Sequence, residues 1–129
     1  MLIKSFLIGL GSYLPGIFNL IYRRIGTGGT NSSRYCYSVW LRHLVLAHKQ
    51  GLPCHPEVVA ELGPGDSIGI GLAALLSGVS KYYAMDLVRF VNYERNLVIL
   101  EELVELFKQR VNIPDNSEFT YLKPDLDSY

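Results

Sequence analysis

Chemistry is first legible in this 129-residue chain at Glu61-Leu62-Gly63-Pro64-Gly65-Asp66-Ser67 and, about twenty residues later, at Asp86. The first stretch sets two carboxylates around glycines, where the β-branched run "EVVAEL" gives way to the alanine- and leucine-rich "GIGLAALL". Glycine reaches positive φ and, lacking Cβ, lets a ligand come into contact with the main chain. The free N–H groups of a following helix carry partial positive charge and point back at such a turn. The residues therefore suit the binding of a small anionic or polar ligand against backbone.

Other chemistries find less support. His43 and His48 are five residues apart, which on a helix puts them on different sides, unlike the four-residue spacing of zinc-binding helices. His55 beside Cys54 adds no metal-ligand pattern, so no metal site is expected. No serine, histidine and aspartate grouping with a nucleophile elbow is present, which leaves a hydrolase without support. Cys36 and Cys54 form no disulfide framework; they read as buried small hydrophobes in a reducing, cytoplasmic compartment.

The elements that would position the acids follow from pattern. "EVVAEL" has the signature of a buried parallel strand, with Gly63, Pro64 and Gly65 turning the chain after it. A helix is expected over residues 67–77, capped by Asp66 or Ser67 and stopped by Gly78. "SKYYAMD" is a second strand ending at Asp86, reached by a right-handed crossover, so both strand ends and the glycine turn share one edge. Gly69, Gly71 and Ala74 match the dinucleotide pattern by letter, but six residues beyond the strand end. They read as helix-packing residues, and Gly71→Ala is expected to leave a ligand unaffected and to favour the helix. Asp86 could alternatively cap the next helix, expected over residues 88–110, whose stripe of Leu100, Leu103, Val104, Phe107 and Val111 opposes Glu101, Glu102, Glu105 and Lys108. Beyond residue 110 the chain turns polar and proline-marked, with no third strand.

Upstream, "RYCYSVWLRHLVLAHKQGLP" predicts a helix over residues 33–50, with Cys36, Val39, Trp40, His43, Leu44 and Ala47 on one face. "GTGGTNSS" before it has the composition of a flexible connection. The organisation expected is a helical arm over 1–25, a linker over 26–33, a covering helical segment over 34–56 and the βαβ region over 57–129. Charge divides the chain: no acid precedes Glu57, while Lys4, Arg23, Arg24, Arg34, Arg42 and Lys49 do, although the net charge is zero. Nothing in that balance argues for nucleic acid. The uncharged run over residues 5–22 is interrupted by Gly9, Gly11, Pro15 and Gly16, which favours two short amphipathic pieces over a membrane span. With Arg23 and Arg24 it leaves peripheral contact with anionic lipid open.

An acid followed by Gly-x-Gly after a hydrophobic strand, with a second acid at the next strand end, resembles class I S-adenosylmethionine-dependent methyltransferases. The resemblance covers mainly residues 57–110, and Ser67 stands where many members carry a third glycine. It implies a Rossmann-like α/β fold, the start of a seven-stranded sheet preceded by N-terminal helices, with the sheet incomplete in this chain. It also implies that the chain is the N-terminal portion of a longer enzyme. S-adenosyl-L-methionine would be the cofactor and the acceptor stays unidentified. By the same resemblance Gly63, Pro64 and Gly65 border the methionine part, the helix start near Asp66 and Ser67 favours its carboxylate, Glu61 takes its amino group, Asp86 holds the ribose and Leu87 lies near the adenine. No catalytic base is identified. An NAD-type oxidoreductase would use the same unit, and a noncatalytic membrane-surface module would rest on the basic N-terminal half.

Overall fold

The computed structural model describes residues 29–86 and 91–125. The expected N-terminal arm, the run over 5–22 and Leu87 lie outside them. In chain order the elements are a 3-10 turn (Gly29–Asn31), α1 (Ser33–Lys49), β1 (Val58–Leu62), α2 (Gly69–Leu76), β2 (Lys81–Met85) and α3 (Tyr93–Lys108). The class is mixed α/β. β1 and β2 pair in parallel, Val58 opposite Lys81 and Leu62 opposite Met85.

α2 explains its own sequence. It touches both strands on one side and α1 and α3 on the other, so it forms a middle layer. A helix covered on both sides must be apolar all round and narrow, as "GIGLAALL" is. A Cβ on Gly69 would stand 2.5 Å from the Cys36 sulfur, and one on Gly71 would stand 2.2 Å from the Tyr82 ring. Both glycines are there for close packing. The helix starts at Gly69 rather than at 67, and Ile68 occupies its N-cap position without a side-chain cap bond.

The expectation that β1 is a buried strand is corrected. Val59 and Glu61 face α2, but Val58 and Leu62 are exposed, as are Tyr83 and Met85 on the paired strand. Successive side chains of a strand point to opposite faces, and helices cover only one face of this sheet among the described residues.

α1 is capped by Ser32, whose Oγ accepts from the Tyr35 N–H. Cys36, Val39 and Trp40 are buried as expected, and Trp40 Nε1 donates to Ser77 Oγ on the α2 side at 2.8 Å. His43 is exposed, however, and Arg42 is fully buried in its place. The reason is that α1 has a second packing side, made by the polar segment after α3. The Arg42 guanidinium donates to Asn116 Oδ1 and the Pro114 carbonyl, each at 2.8 Å, and to the carbonyls of Pro124 and Leu122. Ser38 Oγ accepts from Arg42 Nε and donates to the Pro114 carbonyl. Tyr37 donates to the Val111 carbonyl at 2.7 Å, and Arg34 grips Glu118 through two bonds of 2.6 and 2.7 Å. A charge this deep persists only when its donors are satisfied, and here neutral oxygens do most of it.

α3 begins at Tyr93, with Asn92 as its cap, so the helix expected from 88 starts later and Asp86 does not cap it. Its buried face, Ile99 and Leu103 flanked by Leu106 and Phe107, joins Tyr37, Trp40, Ala73, Ala74 and Val79 in one core. The chain leaves the helix through Arg110 at φ +49°, a left-handed terminus made without glycine.

Candidate functional site

At the carboxyl end of β1 the Gly63 N–H donates to the Met85 carbonyl at 2.8 Å, which extends the ladder one step and sets the glycine beside the end of β2. Gly63 (φ +70°) and Gly65 (φ +77°) are both left-handed, with Pro64 buried between them. That backbone requires glycine at both positions. A Cβ on Gly63 would meet nothing within 4 Å, so the main chain is open to an incoming molecule there. Leu62, Gly63, Met85 and Asp86 line a concave space of about 500 Å³. The two strand ends, the turn and one carboxylate thus share a single hollow at the edge where parallel α/β sheets take ligands.

The remaining residues singled out in the sequence are placed differently. Ser67 is buried: its Oγ donates to the Thr30 carbonyl and accepts from the Gly69 N–H at 3.0 Å. The Ile68 N–H donates to Asn96 Oδ1 of α3 at 3.2 Å. Two N–H groups expected to face a ligand's carboxylate are therefore bonded within the protein. Asp66 accepts from Asn31 at 3.1 Å, so residues 29–31, at the end of the expected linker, form an ordered turn against the glycine loop. Glu61 does not line the hollow. It lies on the α2 side of the sheet, where Tyr82 Oη donates to its Oε2 at 2.5 Å.

Burial pushes the Glu61 carboxyl above its ordinary value, and the bond from Tyr82 opposes part of that rise. Burial also raises the Tyr82 phenol, and the negative neighbour raises it further. The Cys36 thiol, packed beside Gly69, is pushed by burial up to about 12, so it stays protonated and inert at neutral pH. Cys54, also expected to be buried, is only half-buried. Among the described residues no three His, Cys, Asp or Glu side chains gather to hold a metal ion, and no helix is long and apolar enough to cross a membrane.

Sequence reasoning missed Tyr82, Asn96 and the turn at Thr30 and Asn31. Tyr82 was within reach, because strand alternation and the register put it opposite Val59 and on the face of Glu61. Asn96 carried no sequence signal, since its role is to bond an element 28 residues away. No family model, no curated protein and no solved structure matches this chain.

Proposed function

We propose that this chain carries the cofactor-binding start of an S-adenosylmethionine-dependent methyltransferase. The observation that supports it is the joining of the left-handed Gly63 turn and Asp86 in one hollow at the carboxyl ends of two parallel strands. In this reading the Asp86 carboxylate accepts from a ribose diol, and the absent side chain at Gly63 leaves room for the part of the ligand that crosses the turn. Leu62 and Met85 supply the apolar walls. The cofactor supplies a sulfonium methyl, transferred in line to a nucleophile. The protein's own contribution to such a reaction is positioning and the exclusion of water.

Asp86→Asn tests the reading. It keeps size but removes the charge and one acceptor of the diol, a change of about 1.5–3 kcal/mol for a hydrogen bond to a charged group. Affinity for S-adenosylhomocysteine, measured by titration calorimetry, is expected to fall roughly 10- to 100-fold. Equal affinity in wild type and variant, preference for a nicotinamide dinucleotide, or no binding by the wild-type chain would each sink the proposal.

A further inference from the structure

The start of α2 is held by another helix. Ile68 stands at its N-cap position without a side-chain bond of its own, and the first N–H groups of a helix need partners from outside it. Gly69 is served locally by Ser67 Oγ, but the Ile68 N–H donates to Asn96 Oδ1, a residue of α3. That bond joins the two segments that leave the sheet side by side. The bond from the Gly63 N–H to the Met85 carbonyl, at 2.8 Å, holds them together beside the hollow. The bond from Ile68 to Asn96, at 3.2 Å, holds them again further along both.

We propose that Asn96 is a positioning residue of the hollow: its side-chain oxygen ties the glycine loop to α3 and so fixes the Gly63 turn relative to Asp86 for a ligand that touches both. The assignment rests on the reading given under Proposed function and adds a residue that itself touches no ligand. Gly63 and Asp86 follow different strands, so their spacing across the hollow depends on what joins the two segments. Asn31 and Thr30 hold the same loop from the turn before α1, at Asp66 and Ser67. Of these three contacts only the one with Asn96 reaches the segment that follows Asp86. A ligand bound across the hollow is sensitive to small displacements of either wall, whereas one that touches a single wall is not.

The experiment compares wild type with Asn96→Leu, which keeps the approximate size and removes the acceptor, and with Asn96→Asp, which keeps an acceptor oxygen at the same reach. Two probes separate positioning from general structure: S-adenosylhomocysteine, which spans the Gly63 turn and Asp86 in this reading, and adenosine, which reaches Asp86 alone. In Asn96→Leu the first is expected to lose about 2- to 10-fold in affinity by titration calorimetry, in line with one neutral hydrogen bond, and the second to keep its affinity. Asn96→Asp is expected to restore the first. Hydrogen exchange at the Ile68 amide, followed by nuclear magnetic resonance without any ligand, should be slow in wild type and in Asn96→Asp and fast in Asn96→Leu.

Equal losses for both probes in Asn96→Leu, an unchanged affinity for S-adenosylhomocysteine, or a loss that Asn96→Asp does not restore would each overturn the positioning role. An Ile68 amide that exchanges in the wild type as fast as an unprotected one would overturn the bond itself, whatever the variants do. Failure of the wild type to bind either probe would remove the methyltransferase reading and this assignment with it. A wild type that binds both, with Asn96→Leu indistinguishable from it, removes this assignment alone.

Discussion

Gly71→Ala reverses sign between the sequence and the structure. In a solvent-exposed helix, alanine gains about 1 kcal/mol over glycine. Here the new methyl would lie 2.2 Å from two ring atoms of Tyr82 and 2.5 Å from a third, well inside ordinary contact. The ring cannot swing aside like the end of a flexible chain, because β2 holds its base and Glu61 holds its hydroxyl. Forcing extra volume into a packed site costs about 1–3 kcal/mol, and losing the bond to Glu61 adds up to about 1.5–3 kcal/mol. After the helix-propensity gain is subtracted, the net loss with the bond broken is between about 1.5 and 5 kcal/mol. Urea unfolding followed by circular dichroism measures it directly, and at the low end the thermal midpoint should fall by roughly 6 °C. Adding Tyr82→Ala removes the obstacle, so the double variant is expected to lose less than the sum of the single losses by about 1 kcal/mol or more. A Gly71→Ala protein as stable as wild type, or more stable, would refute the packing argument.

Three further outcomes are expected. Arg42→Met leaves the carbonyls of Pro114, Leu122 and Pro124 without their shared donor, so stability should fall by about 3 kcal/mol or more and residues 111–125 should become the first site of limited proteolysis. Glu61→Gln should stabilise the fold near pH 7.5: a carboxyl whose folded pKa is raised contributes stability below its unfolded value and loses it as pH rises through the folded one, so the variant's advantage in urea unfolding should vanish below the ordinary value of 4.5. A thiol assay at pH 8 should modify Cys54 in the native protein and Cys36 only after denaturation.

The legible parts of the sequence were those set by local rules. Alternation and β-branching located β1 and β2, and the glycines at 63 and 65 marked the turn because only glycine readily adopts its backbone. The apolar stripe of α3 was visible in its period. What stayed hidden depends on partners distant in sequence. The half-exposed sheet could not be read from "EVVAEL", since a short apolar run looks the same whether one face is covered or two. The burial of Arg42 was not legible because, Ser38 apart, the oxygens that receive it lie 72 to 82 residues away. The end of α3 was missed because Arg110 takes a conformation usually announced by glycine. At the candidate site, the acids were found but their placement was not: Asp86, just past the end of β2, borders the hollow with Leu62, Gly63 and Met85, while Glu61, one residue before the end of β1, is engaged by Tyr82 on the α2 side.

The buried guanidinium of Arg42 also has a consequence for the order of events as the chain is made. α1 leaves the ribosome well before residues 114–124, which hold most of the guanidinium's acceptors. Until they emerge, the charge must remain hydrated, and that side of α1 has to stay turned toward water while β1, α2 and β2 are synthesised. Premature collapse on that side is thereby penalised. The closing of the late segment over α1 then commits both ends of the described fold in a single event, so a chain interrupted before residue 114 is expected to hold an open, readily degraded α1 rather than a smaller stable domain.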